Sequence, residues 1–247
     1  MPEPGRSPDI LRLAIRTALS GNPGPVHLSM PADIISRPIQ YQPLKPAEYR
    51  AVDSRPVDPE GIADALAALA GASRPCILAG YGVSRSNAHD ELMQFASALG
   101  APVATSPKGK GVFPENHPLS LGVLGFGGQG QIEELLASGA ADVLVIVGSS
   151  MNEFVTNAWM LQVHPSTVCI QIDLDAEAIG RNYSVDVAVV GDARATLREL
   201  THGLRASGRT PDEEAWHRSA APELRSVAVP VADEAAPLRA EAVMHEL

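Results

Sequence analysis

Small and polar residues follow several apolar runs of this chain, at positions that suit the binding of a phosphorylated ligand. Gly80, Tyr81 and Gly82 come directly after the apolar residues 76–79 and precede a helical pattern. The amides of such a turn can bind a phosphate or pyrophosphate group at the start of the helix. The motif lacks the third glycine of the dinucleotide-binding fingerprint, so a tight turn without a ligand explains it equally well.

A second glycine-rich stretch and two aspartates extend this set of candidates. Residues 125–130 read Gly-Phe-Gly-Gly-Gln-Gly, which suits either a flexible cover or an anion cradle. Asp173 ends an apolar run, where nucleotide-binding folds often hold the adenosine ribose with a carboxylate. The alternative is a helix cap, for which Asp175 is better placed. Asp192 is first of all the cap of the helix that follows it, and a ligand contact would be additional.

The sequence contains no signature of catalysis. The 7 histidines show no metal-ligand spacing, and neither His-Glu-x-x-His nor Cys-x-x-Cys occurs, so we expect no metal site. No Gly-x-Ser-x-Gly elbow supports a serine nucleophile. Lys108 and Lys110 are better explained as solvated loop charges, and Phe154 and Trp159 as packing residues. The residues by themselves therefore predict a nucleotide-binding type of fold without catalytic machinery.

The elements that must position these residues alternate between helix and strand. Residues 143–147 are aliphatic without a break, which predicts a strand covered on both faces in a parallel sheet. Residues 76–79 repeat this design, and two such strands side by side would form the crevice in which open α/β sheets bind ligands. Further strands are predicted at 102–105, 167–173 and 185–190, and helices at 59–70, 87–99, 131–138 and 193–204. This alternation predicts an α/β domain with helices on both faces of a parallel sheet.

Composition and charge narrow the class of protein. With 45% hydrophobic and 19% charged residues, the chain has an ordinary globular composition. A net charge of -10 argues against a nucleic-acid-binding surface, and no run approaches the roughly 18 apolar residues of a membrane span. Cys76 and Cys169 lie in apolar runs, as buried cysteines of a reducing compartment do. We expect a soluble, cytoplasmic protein that binds neither nucleic acid nor membrane.

The two ends of the chain look like pieces of neighbouring domains. Residues 7–20 have helical spacing and residues 26–30 alternate like a strand, which is too little for a domain. A proline-rich segment without a period follows, and it is expected to be an extended linker. After the α/β region, an acidic stretch rich in proline and alanine leads to a new helix start at Pro237. We therefore expect a middle domain with parts of its neighbours.

Several segments together resemble thiamine-diphosphate-dependent enzymes of the acetolactate synthase and benzoylformate decarboxylase type. Residues 24–33 resemble the end of their pyrimidine-binding domain, and residues 237–247 resemble the start of their diphosphate-binding domain. Residues 74–82, 108–122, 171–182 and 191–192 resemble their central domain. The resemblance implies a three-layer, Rossmann-like domain with a six-stranded parallel sheet. It implies these bounds: pyrimidine-binding remnant 1–36, linker 37–57, central domain 58–205, linker 206–236 and diphosphate-binding start 237–247.

The resemblance also implies where the chemistry lies. The family's activating glutamate belongs to the first domain, and its Gly-Asp-Gly…Asn motif for magnesium and diphosphate belongs to the third. Gly191-Asp192-Ala193 is not that motif. We therefore expect no catalytic residue and no metal ligand in this chain, and no activity of the chain alone. The parent enzyme would be a homodimer or homotetramer that uses thiamine diphosphate and Mg²⁺ on a 2-keto acid.

In flavin-containing relatives the central domain holds FAD, and in some coenzyme A-dependent relatives it holds ADP. The resemblance assigns such a cofactor site to ten positions here: Gly80, Tyr81, Gly82, Ser106, Lys108, Gly125, Gly148, Asp173, Asp192 and Ala193.

Two departures from the acetolactate synthase pattern affect the predicted chemistry. Ser150 stands where a flavin-contacting arginine is expected, and Phe154 stands where an arginine engages the second 2-keto acid. A phenyl ring cannot supply the two donors that a carboxylate binds. A related decarboxylase or lyase is therefore implied at least as strongly, with Phe126 and Phe154 as candidates for one wall of the substrate channel. The alternatives are a stand-alone adenine-nucleotide-binding module without catalysis and a purely structural remnant.

Overall fold

The computed structural model describes residues 3–43, 45, 57–208 and 216. The predicted second linker and the predicted helix start at residue 237 therefore lie outside the described residues, except for residues 206–208 and Trp216. The predicted domain bounds stay predictions.

Six parallel strands form one sheet, which confirms the predicted fold class. Every neighbouring pair in the sheet runs parallel, in the order β3-β2-β1-β4-β5-β6. The order reverses between β1 and β4, and this reversal is where open α/β sheets have their crevice. The strands are β1 Pro75–Ala79, β2 Val103–Thr105, β3 Ser120–Val123, β4 Val143–Val147, β5 Val168–Asp173 and β6 Val187–Val190.

The helices of the described residues cover the sheet on both sides and also precede it. They are α1 Ser7–Leu19, α2 Ala32–Ile35, α3 Pro59–Ala70, α4 Tyr81–Arg85, α5 His89–Leu99, α6 Gly130–Ala137 and α7 Ala193–Ala206. Short 3-10 turns lie at Pro4–Arg6, Pro107–Gly109 and Ala176–Ala178. None of the helices in this part of the chain is long and apolar enough to cross a membrane.

Local sequence signals account for the ends of these helices. The Asp58 carboxylate accepts a hydrogen bond from the Gly61 amide at 3.0 Å, and Pro59 occupies the first helical position of α3. Asp192 caps α7 in the same way, with the Ala195 amide 3.1 Å from its carboxylate. Because these signals are local, the starts of α3 and α7 were predictable from the sequence.

The core has two layers, one on each face of the sheet. Ile77, Val145 and Ile170 point into the layer beneath α3, α5 and α7, whereas Cys76 and Leu144 point into the layer on the other face. All five residues of β4 are buried. Strands covered on both faces gain stability from every side chain, which explains why β1 and β4 are unbroken apolar runs.

Burial also decides the chemistry of the two cysteines. It raises the pKa of the Cys76 thiol to about 12 and that of Cys169 to about 11. Both thiols are free and buried, as expected from their apolar surroundings in the sequence.

Two features differ from the predicted elements. Residues 26–30 form no strand, because no described strand lies beside them to complete hydrogen bonds. Conversely, Ser120–Val123 is a strand that the pattern did not predict. It is an edge strand of four residues, and its pairing with β2 shifts register near Gly122, so it lacks the long apolar run that identified β1 and β4.

Candidate functional site

The residues predicted to bind a cofactor all lie along one edge of the sheet. Each is the last residue of a strand or follows a strand within three positions. Because the six strands are parallel, their carboxyl ends meet at the same edge. The fold therefore aligns residues that are far apart in the sequence: Gly80, Tyr81 and Gly82 after β1, Ser106 and Lys108 after β2, Gly125 after β3, Gly148 after β4, Asp173 at the end of β5, and Asp192 and Ala193 after β6.

The ends of β1 and β4 touch at the centre of this edge. The Gly80 amide donates to the Val147 carbonyl at 2.8 Å, and the Gly82 amide donates to the Gly148 carbonyl at 2.9 Å. A Cβ atom on Gly82 would lie 2.5 Å from the Gly148 Cα, and one on Gly80 would overlap the Gly148 carbonyl oxygen. This close approach explains the glycines without a ligand, and it uses two of the amides that could have met a phosphate.

A cavity opens beside this contact, toward β5 and β6. It is an open cleft with an enclosed volume of about 50 Å³. The cavity brings together Gly82, Gly148, Asp173 and Ala193 from the predicted set with two residues that were not predicted, Asn22 and Arg85.

Asp173 supplies a half-buried carboxylate to the wall of this cavity. Its Oδ1 accepts a hydrogen bond from the Asp175 amide at 3.0 Å. Burial raises the pKa of this carboxyl above its ordinary value. Asp173 is thus an acceptor for hydroxyl groups on the wall of an open cleft. The sequence-based alternative role, a cap for the helical turn at Ala176–Ala178, belongs to Asp175, whose carboxylate accepts from the Glu177 amide at 3.0 Å.

Asp192 and Ala193 contribute in different ways. The Asp192 side chain is buried and caps α7, as the sequence indicates. Ala193, the first residue of that helix, lies on the cavity wall. In the described structure the observed role of Asp192 is thus to fix the start of α7, which positions Ala193.

Tyr81, Ser106 and Lys108 form a second group, on the far side of the Gly80–Gly148 contact. Ser106 is buried, and its hydroxyl accepts a hydrogen bond from the Gly109 amide at 3.0 Å. The Lys108 ammonium lies 4.6 Å from the centre of the Tyr81 ring, which is cation–π distance. Lys110 forms an ion pair with Glu115 at 3.3 Å. Both lysines are exposed, as expected of solvated loop charges, and each also has a partner.

Gly125 brings two exposed aromatic side chains together. The Phe126 amide donates to the Phe154 carbonyl at 2.8 Å, and a Cβ on Gly125 would lie 2.6 Å from the Val155 carbonyl oxygen. The rings of Phe126 and Phe154 meet edge to face with their centres 6.0 Å apart. Their exposed fractions are 67% and 63%, so the structure places an aromatic pair at the surface.

The prediction that Phe154 and Trp159 are packing residues is wrong, since Trp159 is also 53% exposed. Both lie in the loop after β4, whose inward side is taken by Met151, Val155 and Leu161. Positive φ angles at residues 157–159 turn the chain there and leave the large rings outside. Burial preference by residue type could not anticipate this arrangement.

Arg85 and Asn22 are two of the cavity residues that sequence reasoning missed. Arg85 Nη1 donates to Asn22 Oδ1 at 3.0 Å, and Nη2 donates to the Pro23 carbonyl at 2.8 Å. Asn22 Nδ2 in turn lies 3.2 Å from Asp175 Oδ2. The only sequence signal was the position of Arg85 on the helix that follows Gly80-Tyr81-Gly82, and nothing indicated that the N-terminal segment lies against it.

Comparison with known proteins agrees with this architecture. A family model described as the thiamine pyrophosphate enzyme central domain matches residues 62–200. This chain belongs to that family. The match covers the region that carries the sheet and most of its helices, so the resemblance noted in the sequence is confirmed for the central domain.

Individual relatives of this central domain support the same conclusion. A Methanocaldococcus jannaschii protein described as an inferred acetolactate synthase large subunit is 34% identical over 235 residues, which is 94% of this chain and 39% of that protein. A Mycobacterium smegmatis structure, proposed to be a thiamin diphosphate-dependent enzyme, superposes with a TM-score of 0.70 at 28% identity, covering 87% of this chain and 40% of that one.

Benzoylformate decarboxylase from Polynucleobacter necessarius has a TM-score of 0.67 at 24% identity, covering 82% of this chain and 37% of that chain. At this identity the likeness shows the fold alone. This chain therefore spans about two fifths of the length of the Methanocaldococcus jannaschii and Mycobacterium smegmatis proteins.

Proposed function

We propose that this chain is the nucleotide-holding middle part of a thiamine-diphosphate-dependent enzyme that decarboxylates or joins 2-keto acids. The family and the acetolactate synthase relative support the class of chemistry. The observation that carries the chain's own role is the open cleft at this edge, with Asp173 on its wall. A nucleotide would lie along the cleft, partly in solvent, with its ribose hydroxyls donating hydrogen bonds to the carboxylate.

The close contact at the centre of the edge favours ADP over FAD as the ligand of this cleft. The contact between Gly82 and Gly148 closes the centre of the edge, so the flavin end of FAD would lie outside the cavity, toward Lys108 and Gly125. Ser150 offers no cation to a flavin phosphate, and its carbonyl accepts the Asn182 side-chain amide at 2.8 Å. We therefore infer ADP as the ligand, and the experiment below separates it from FAD.

Thiamine diphosphate supplies an electron sink for 2-keto acid carbanions when it is bound. The described residues do not fit its magnesium site, since they include no group of three His, Cys, Asp or Glu that could hold a metal ion. Asp192, whose Gly-Asp context is closest to the family's motif, is used as a helix cap.

We infer that thiamine diphosphate and Mg²⁺ bind to the pyrimidine- and diphosphate-binding domains of the whole enzyme, a homodimer or homotetramer. The present chain would then have no activity alone. The exposed pair Phe126 and Phe154 would form one wall of the substrate channel between these domains, because it lies on the same edge of the sheet.

The test is the nucleotide content of the purified 247-residue chain. Protein denatured after purification is expected to release ADP, and ligand-free protein is expected to bind ADP in a calorimetric titration. A yellow protein that releases FAD would show that the site binds FAD instead of ADP. Colourless protein that releases no nucleotide, and gives no heat with millimolar ADP or FAD, would exclude the nucleotide site and leave a scaffold domain.

An adenine-nucleotide-binding module without any enzymatic role is the second candidate. The same cavity favours it, together with the lack, among the described residues, of a side-chain group that could hold a metal ion. The enzymatic activity of the protein that the native gene encodes distinguishes the two candidates. If that product turns over a 2-keto acid with thiamine diphosphate and Mg²⁺, the module without catalysis is excluded.

A further inference from the structure

Arg85 is a cation at the cavity whose observed partners are neutral. Its two hydrogen bonds go to Asn22 Oδ1 and the Pro23 carbonyl. It forms no ion pair with any residue that the structure describes, whereas Arg194 and Arg198 both pair with Glu91 at 2.8 Å. A guanidinium without a carboxylate keeps its charge available for an anion that enters the cavity.

The two bonds also fix the guanidinium in place. They use two of the five N–H donors that an arginine has, so donors remain for the oxygen atoms of a ligand. Asn22 is itself held, since its Nδ2 donates to Asp175 Oδ2 at 3.2 Å. Preorganised donors bind a planar or tetrahedral oxyanion with less loss of side-chain entropy than a free arginine does.

Arg85 and Asp173 give the cavity one cationic and one anionic wall. A ribose offers hydroxyl donors to a carboxylate, and a phosphate offers acceptors to a guanidinium. We propose that Arg85 binds the phosphate groups of the nucleotide and makes the site selective for ADP over adenosine. This inference rests on the proposed nucleotide site and adds the residue that selects the phosphorylated form.

The other carboxylates around the cavity are already bonded. Asp192 accepts from the Ala195 amide, and Asp175 accepts from both Glu177 and Asn22. These hydrogen bonds offset part of the negative charge of the two carboxylates, which weakens their repulsion of an anionic ligand. The attraction to Arg85 then acts at close range, and added salt weakens it only in part because the cavity is partly enclosed.

The test compares ADP and adenosine in calorimetric titrations of wild type and Arg85→Met, using the 247-residue chain. Methionine keeps the length of the stem and removes the charge. We expect ADP affinity to fall roughly tenfold, the loss of about one charge-assisted hydrogen bond, and adenosine affinity to stay unchanged. Arg85→Lys should restore part of the ADP affinity. Arg205→Met, on the exposed last turn of α7, is the matched control and should match wild type.

Salt dependence gives a second readout. ADP affinity of the wild type should fall as NaCl is raised, and that of Arg85→Met should fall less steeply. Two results would overturn the role of Arg85 while the nucleotide site stands. In the first, Arg85→Met binds ADP as tightly as wild type does. In the second, the variant loses as much affinity for adenosine as for ADP. If wild type binds neither ADP nor adenosine, the nucleotide site itself fails, and this inference fails with it.

Discussion

At the scale of single residues, Asp173 combines a place in the cavity with a perturbed carboxyl group. Burial raises its pKa, a hydrogen bond from the Asp175 amide opposes this, and the Asp175 carboxylate raises the pKa further. The net direction is upward. Burial disfavours the ionised form of this carboxyl group, and the group lies beside a cavity. This combination is typical of a binding site rather than of a stabilising contact.

We expect Asp173→Asn to stabilise the ligand-free protein and to weaken ADP binding. A raised pKa means that the folded state binds the proton more tightly than the unfolded state does. The free energy of unfolding of wild type therefore falls as pH rises above the ordinary aspartate range. The variant should be more stable than wild type at neutral pH, and this difference should vanish in acid. ADP affinity should fall roughly tenfold as one ribose contact is lost.

Urea unfolding at neutral and acid pH, together with an ADP titration, measures both effects. Asp64→Asn, at an exposed position of α3, is the matched control and should change neither. A variant at Asp173 that is less stable at neutral pH and binds ADP like wild type would show that this carboxylate is only a structural group.

At the scale of elements, the junction of β1 and β4 decides the shape of the edge. Gly148 has a φ of +59°, and its Cβ position lies 2.6 Å from the Gly82 Cα. A side chain there meets both backbone strain and overlap with the neighbouring turn. The two strands can therefore end close together only with glycine at this place, and the cavity begins where that contact ends.

We expect Gly148→Ala to lower the free energy of unfolding by about 2–4 kcal/mol, from strain and overpacking combined. Chemical denaturation followed by circular dichroism measures it. The matched control is Gly71→Ala at the end of α3, where φ is negative and no atom lies within 4 Å of the added Cβ. The control should stay within about 0.5 kcal/mol of wild type. Equal stability of both variants would contradict the close contact.

At the scale of the whole molecule, the two ends of the sheet have different roles. The carboxyl edge carries the cavity, whereas the amino end of β1 is covered by Trp216, whose indole Nε1 donates to the Pro75 carbonyl at 2.7 Å. Trp216 belongs to one of the two core layers and is 7% exposed. A residue beyond α7 thus anchors the chain to the sheet at the end opposite the site.

The 2 tryptophans of the chain make this anchor measurable. Trp216→Phe should lower the free energy of unfolding by about 1–2 kcal/mol, because the Pro75 carbonyl loses its donor and part of the packing is removed. Trp159→Phe, at an exposed position, should leave stability unchanged. In Trp159→Phe the remaining fluorescence should resist quenching by acrylamide, and free access of the quencher to Trp216 would contradict its burial.

Apolar surface also remains on the N-terminal part of the molecule. Helix α1 has no buried residue, and Leu11, Ile15 and Leu19, which follow at intervals of four on one face, are 52%, 37% and 56% exposed. An apolar face of this kind is normally covered by another domain or subunit. We therefore propose that residues 1–36 are part of a neighbouring pyrimidine-binding domain in the whole enzyme, as the sequence suggested.

The sequence by itself determined most of the elements, their order along the chain and the edge at which the site lies. It did not predict β3, and it predicted a strand at 26–30 that does not form. Unbroken apolar runs predicted β1 and β4, and local caps predicted the starts of α3 and α7. Parallel strands bring their carboxyl ends to one edge, so this pattern also placed Gly148 and Asp173 on the same edge. These features depend on neighbouring residues and on burial, and the local pattern of apolar and polar residues indicates both.

Only the tertiary structure decided which groups meet across that edge. Arg85 and Asn22 are 63 positions apart, and no periodicity indicates that one accepts a hydrogen bond from the other. The amide of Gly82 proved to be engaged by β4, and Phe154 proved to face outward. Such contacts depend on how packed elements approach one another, and residue type and spacing along the chain do not encode that distance.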